Sequence, residues 1–133
     1  MESLQILVDS NIWINYFRKA EAPESLQLSR LIKEEQVCLC GVVLGEVLQG
    51  ARTVEEMNLL AHLLEAVPYV NDLKEDWEKA ALQVLTLRKK GIAVALSDCL
   101  IAAAANRARC SIFSLDEDFS KMSGVKLFRV EQG

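Results

Sequence analysis

The chain has 133 residues, 51% of them hydrophobic and 26% charged, a balance expected of one globular domain spanning 1–133 with a core of its own. A net charge of -4 argues against a protein that coats itself with nucleic acid non-specifically, while leaving room for a local basic patch. No apolar run reaches the ~18 residues of a membrane span, and the opening MESLQILVDSNIW has an acid where a secretory leader has basic residues, so a cytoplasmic location without a membrane partner is expected.

In chain order, residues 5–8 form a short apolar run suited to a buried strand, followed by a helical stretch through Trp13, Ile14 and Phe17. Trp13 is read as core, although Trp13 and Tyr16 lie close enough to the first acid to stack a base. Pro23 suits the first turn of a second helix carrying Leu26, Leu28, Leu31 and Ile32. Residues 37–40 are the next strand, punctuated by Gly41 before a helix over about 42–51. Thr53 and Glu56 have the spacing of a capping box opening a helix toward Leu64. Residues 67–70 are a third strand candidate. Asp72 with Glu75 again reads as a helix start, leading through Trp77, Ala81, Val84 and Leu87 to the basic end Arg88, Lys89, Lys90 and a stopping Gly91. Ser97 is placed to cap an Ala-rich helix beginning near Asp98. A strand over 111–113, a short helix over 116–122 and a last strand over 125–128 complete the chain.

Short apolar strands alternating with helices predict an α/β fold, a three-layer α/β/α sandwich with a mainly parallel central sheet. In such sheets the functional residues gather beyond the carboxyl ends of the strands. The four cysteines, Cys38, Cys40, Cys99 and Cys110, are read as buried free thiols, because Cys-x-Cys is not a usual zinc spacing and His62 alone adds little.

Isolated acids in apolar surroundings carry the chemistry. Asp9 is the one charge between Glu2 and Arg18, Glu46 the one between Glu35 and Arg52, and Asp98 the one charge in GIAVALSDCLIAAAAN. Asp116 follows the apolar run SIFSL, and Asp118 comes two residues later. Each acid taken singly has an ordinary explanation as a cap or a surface group. Jointly they are better explained by one shared site, since three of them fall where strand ends and helix starts meet. Carboxylates about 5 Å apart repel by roughly 3 kcal/mol per pair at an effective dielectric of 20. Such a cluster calls for a cation, and an all-oxygen ligand set of Asp9, Glu46, Asp98 and Asp116 selects Mg²⁺ or Mn²⁺, ions that keep waters and attract phosphate oxygens.

The pieces LVDSNIWI, GEVLQG, SDCLIAAAA and SLDEDF, in this order across nearly the whole chain, resemble the PIN-domain ribonucleases, and among them the VapC toxins of VapBC toxin-antitoxin modules. The resemblance implies a metal-dependent endoribonuclease with catalytic acids at Asp9, Glu46, Asp98 and Asp116 and an accessory acid at Asp118. Asp9 and Asp98 would be direct metal ligands, and RNA would be cut to leave 5'-phosphate and 3'-hydroxyl ends. It also implies a homodimer and a cognate antitoxin that blocks the acidic basin or inserts a basic side chain. Ser10 and Ser114 stand where Thr is also common, and both keep the hydroxyl.

Ser10, Asn11 and Ser114 orient ligands or contact RNA phosphate on this reading, with capping and turn formation as the competing account. Positive charge for RNA is sought at Arg18, Lys19, Arg52, Arg88, Lys89, Lys90, Arg107 and Arg109, and Arg52, just after the Glu46 helix, is the first candidate. Leu44, Leu48, Met57, Leu59, Leu60 and Leu63 exceed what one core face requires, which leaves apolar surface for an amphipathic antitoxin segment or for burial on the sheet. Two rival functions are a non-catalytic acidic module holding a structural metal, and a Mg²⁺-dependent phosphotransfer or phosphatase domain. The second fits less well, because a haloacid-dehalogenase-type enzyme wants Asp or Thr where this chain has Asn11.

Overall fold

The computed structural model describes residues 5–130; residues 1–4 and 131–133 of the expected domain lie outside that range. Its frame is a four-stranded sheet in the order β3-β2-β1-β4. The central strand β1 (Ile6–Val8) pairs in parallel with β2 (Val37–Cys40) on one side and β4 (Ser111–Phe113) on the other, and β3 (Tyr69–Val70) adds in parallel to the outside of β2. Every residue of β1 and β2 is buried. Alternate side chains point to opposite faces, so both faces are covered, which is why these strands read as continuous apolar runs.

Helices α1 (Ser10–Arg18), α2 (Pro23–Lys33), α3 (Gly41–Gln49), α4 (Val54–Leu64), α5 (Lys74–Lys89) and α6 (Leu96–Arg107) connect the strands. Parallel pairing forces this pattern, since each chain must cross back before the next strand begins. Pro23 opens α2 as its missing N–H allows. Thr53 caps α4 by accepting from the Glu56 N–H at 3.0 Å. The reciprocal half of that box is missing: the Glu56 carboxylate instead takes the Arg52 N–H and the Arg18 guanidinium. Gly91, at φ 79°, ends α5 in the left-handed region that glycine enters without a Cβ clash.

Three expectations need correction. The start of α5 lies one residue later than Asp72: Leu73 is the cap residue, the Asp76 carboxylate accepts the Leu73 N–H at 2.8 Å, and Asp72 accepts the Trp77 indole N–H at 2.7 Å. Helix α6 starts at Leu96 with Ala95 as its cap residue and no side-chain cap, so Ser97 lies inside the first turn. The strand expected over 125–128 is reduced to a single parallel bridge between Ile112 and Leu127. The four cysteines are buried and free, as expected, with Cys38 Sγ and Cys110 Sγ 3.4 Å apart. Trp13 is core, 2% exposed. Among the described residues no helix is long and apolar enough to cross a membrane.

Candidate active site

The carboxyl ends of β1 and β4 lie side by side, and each releases an acid into the same space. Asp9 directly follows β1 and caps α1, its Oδ1 accepting the Ser10 N–H at 2.8 Å. It is 4% exposed. Its Oδ2 accepts the Ser114 hydroxyl at 2.6 Å and the Asn11 amide at 3.5 Å. All of these donors are neutral. Burial therefore pushes the Asp9 pKa up and the charge on Asp116 adds to this, while Ser114 and Ser10 oppose; the net direction is upward.

Ser114, just past β4, joins both loops. Its hydroxyl donates to Asp9 and accepts from the Asn11 amide at 3.3 Å and from the Asp116 N–H at 3.0 Å. Asn11 Oδ1 in turn accepts the Leu115 N–H at 3.2 Å. Glu46, half-buried on α3, accepts the Ser10 hydroxyl at 3.2 Å. Burial first and the Asp9 charge second raise its pKa. By these bonds the two serines and the asparagine hold the carboxylates and the loop after β4.

Asp98 stands in the first turn of α6, and Asp116 caps the 3₁₀ segment Glu117–Lys121 by accepting the Asp118 N–H at 2.9 Å. One carboxylate oxygen from each of Asp98, Asp116 and Asp118 lies within 4.8 Å of the others. Burial, then the charges on Asp9, Asp116, Glu46 and Asp118, push the Asp98 pKa up to about 6. All five predicted acids therefore share one basin, with Asp118 inside the tightest group and Asp9 and Glu46 beside it. The donor set is all-oxygen and repels itself, which fits a hard divalent ion.

Arg52 is exposed in the turn between α3 and α4, where its N–H meets Glu56 Oε2 at 3.3 Å, and its guanidinium makes no ion pair among the described residues. Two other basic candidates are committed elsewhere. Arg18 bonds the Gly50 carbonyl at 2.9 Å and Glu56 at 3.2 Å. Arg107 forms a fork on the fully buried Asp76, with 3.1 and 3.0 Å contacts, and also reaches the Asn71 carbonyl. The reading of the sequence missed both Asp76 as a buried partner and Lys121, whose Nζ lies 3.0 Å from Asp118 Oδ1. The i,i+3 spacing of Asp118 and Lys121 was the available signal.

Residues 6–125 match the family model for the PIN domain. A VapC ribonuclease of Mycobacterium bovis and ribonuclease VapC11 of Mycobacterium tuberculosis are each 32% identical over 124 residues, covering 90% of this chain and 92% of theirs. The structure of VapBC2 from Rickettsia felis bound to a DNA fragment from its promoter superposes with a TM-score of 0.79 at 18% identity, covering 94% of this chain and 98% of that one. The chain belongs to the PIN-domain family, within the VapC ribonucleases.

Proposed function

We propose that the protein is a divalent-metal-dependent endoribonuclease, the toxin of a type II toxin-antitoxin pair, and that Asp9, Glu46, Asp98, Asp116 and Asp118 form its catalytic basin. The observation that carries this reading is geometric: Asp98, Asp116 and Asp118 each bring a carboxylate oxygen within 4.8 Å of the others, beside Asp9 and Glu46, and an ion pair joins Lys121 to Asp118. Two of the relatives are named ribonucleases, which supports RNA as the substrate class.

Asp98, Asp116 and Asp118 would hold Mg²⁺ or Mn²⁺, with Asp9 and Glu46 contributing directly or through water. When bound, such an ion lowers the pKa of a water and offsets charge on the scissile phosphate. The chain's own share of the work is positional. Ser114 and Asn11 fix Asp9, Ser10 fixes Glu46, and the Ser114 hydroxyl fixes the Asp116 backbone, so the carboxylates are oriented before any ligand enters.

A cognate antitoxin belongs to the same reading, supported by the Rickettsia structure being one of VapBC2, and a homodimer is carried with it as what the family resemblance implies. A cleft of about 700 Å³ whose lining includes Trp13, Tyr16, Phe17, Leu63 and Val67, with Glu35 but none of the five site acids, offers a largely apolar seat, and Met57, Leu59 and Leu63 on α4 remain 37%, 57% and 50% exposed. The nuclease reading is tested with labelled RNA and Mn²⁺: Asp98→Asn should abolish cleavage with the fold intact. Equal cleavage by wild type and variant, or none by either, would remove it.

A further inference from the structure

In a 3₁₀ segment residues three apart eclipse one another, and this puts Lys121 directly over Asp118. The ammonium is 3.0 Å from Asp118 Oδ1, and the Lys121 side chain is 46% exposed, on a flexible stem with room to swing. Asp118 belongs to the group whose oxygens lie within 4.8 Å of one another. A divalent ion drawn to that group and the Lys121 ammonium would therefore compete for one carboxylate. The group carries up to three negative charges, and an ion and an ammonium on the one Asp118 carboxylate would repel each other. An ion in this basin attracts phosphate oxygens, which provides the displaced ammonium with an anion a short distance away.

We propose that Lys121 is a phosphate-contacting residue of the substrate site, which pairs with Asp118 and passes to a non-bridging phosphate oxygen of the RNA when a divalent ion takes that carboxylate. The inference rests on the nuclease reading and adds to it a residue outside the acidic motifs. It makes a signature of opposite signs. Lys121→Met removes a competitor of the ion and a partner of the RNA in a single change.

The experiment measures Mn²⁺ binding calorimetrically without RNA, and KM and kcat for labelled single-stranded RNA across a salt series. Lys121→Met should bind Mn²⁺ roughly two- to fivefold more tightly, the span typical of losing one exposed ion pair. Its KM should rise several-fold with kcat nearly unchanged, and the slope of log(1/KM) against log salt should flatten by about 0.7, the value for one phosphate contact on a single strand. Lys121→Arg should stay near wild type in all three readouts, and circular dichroism confirms that each variant folds. An unchanged KM and salt slope in Lys121→Met overturns the proposal, as does Mn²⁺ binding that weakens, which would mean Lys121 merely holds Asp118 in place. A wild type that neither binds Mn²⁺ nor cleaves RNA removes the nuclease reading itself, and this inference with it.

Discussion

Asp9 and Asp76 are both buried aspartates, 4% and 0% exposed, and the protein treats them in opposite ways. Burial alone would raise both. At Asp76 the forked Arg107 guanidinium and the Leu73 N–H outweigh it, and the carboxyl is held below its usual range. At Asp9 the partners are a serine hydroxyl, an asparagine amide and one backbone N–H, the neighbouring charges are negative, and the carboxyl is held above its usual range. One site is electrically closed and serves to tie α5 to α6. The other is left open, with its positive charge to be supplied from outside. The difference marks where structure ends and function begins, because a charge retained at a cost in stability needs a reason other than stability.

The largest effect is expected at the closed site. Arg107→Met leaves Asp76 buried without its counter-charge and should destabilise the fold by about 3–5 kcal/mol, read as a lower urea midpoint at unchanged slope. A loss below 1 kcal/mol would mean that Asp76 is not the closed partner described above. At the open site the sign reverses. Asp98→Asn should reduce cleavage by at least on the order of 100-fold, yet raise metal-free stability at pH 7 by about 1–2 kcal/mol, a figure already reduced for partial solvent screening. Destabilisation by that variant would contradict the repulsion inferred for the basin.

Proton linkage sharpens the same contrast. Asp98 is raised from 3.8 to about 6 on folding, so between those values the folded chain holds more protons than the unfolded one. Its contribution therefore favours the metal-free fold at low pH and is lost as pH rises from about 4 to about 6. Asp76, lowered on folding, contributes stability above the ordinary carboxyl range and loses it as acid is added. Comparing the pH-stability curves of Asp98→Asn and wild type should show the first slope lessened in the variant, with the remainder belonging to Asp9 and Glu46, which are also raised on folding. The smallest effect belongs to orientation: Ser114→Ala should weaken Mn²⁺ binding roughly tenfold, with Ser114→Thr near wild type, as calorimetry would report.

Much of this contrast was legible in the chain. Asp9, Glu46 and Asp98 stood out because each was the only charge in a long apolar stretch, and the alternation of short strands and helices brings strand ends and helix starts together on the carboxyl side of a parallel sheet. Less visible was the closed pair. Asp76 lies among Lys74, Glu75, Glu78 and Lys79, where it looks like one more solvated charge, and its partner Arg107 is 31 residues away. The start of α6 was misplaced because Ser97 resembles a cap, while the backbone turns two residues earlier at Ala95. The last strand failed because pairing at an edge depends on the partner's geometry, and only Leu127 meets Ile112.

The central claim is that the acids gathered beyond β1 and β4 bind a divalent cation. Thermal unfolding at pH 7 with and without millimolar Mn²⁺ tests it most directly. At about 100 times the dissociation constant the ion should stabilise wild type by about 2.7 kcal/mol, a rise in Tm of roughly 10 °C, and this rise should disappear in Asp98→Asn and Asp116→Asn. A wild-type Tm unmoved by Mn²⁺, or an equal rise in the two variants, would contradict the account.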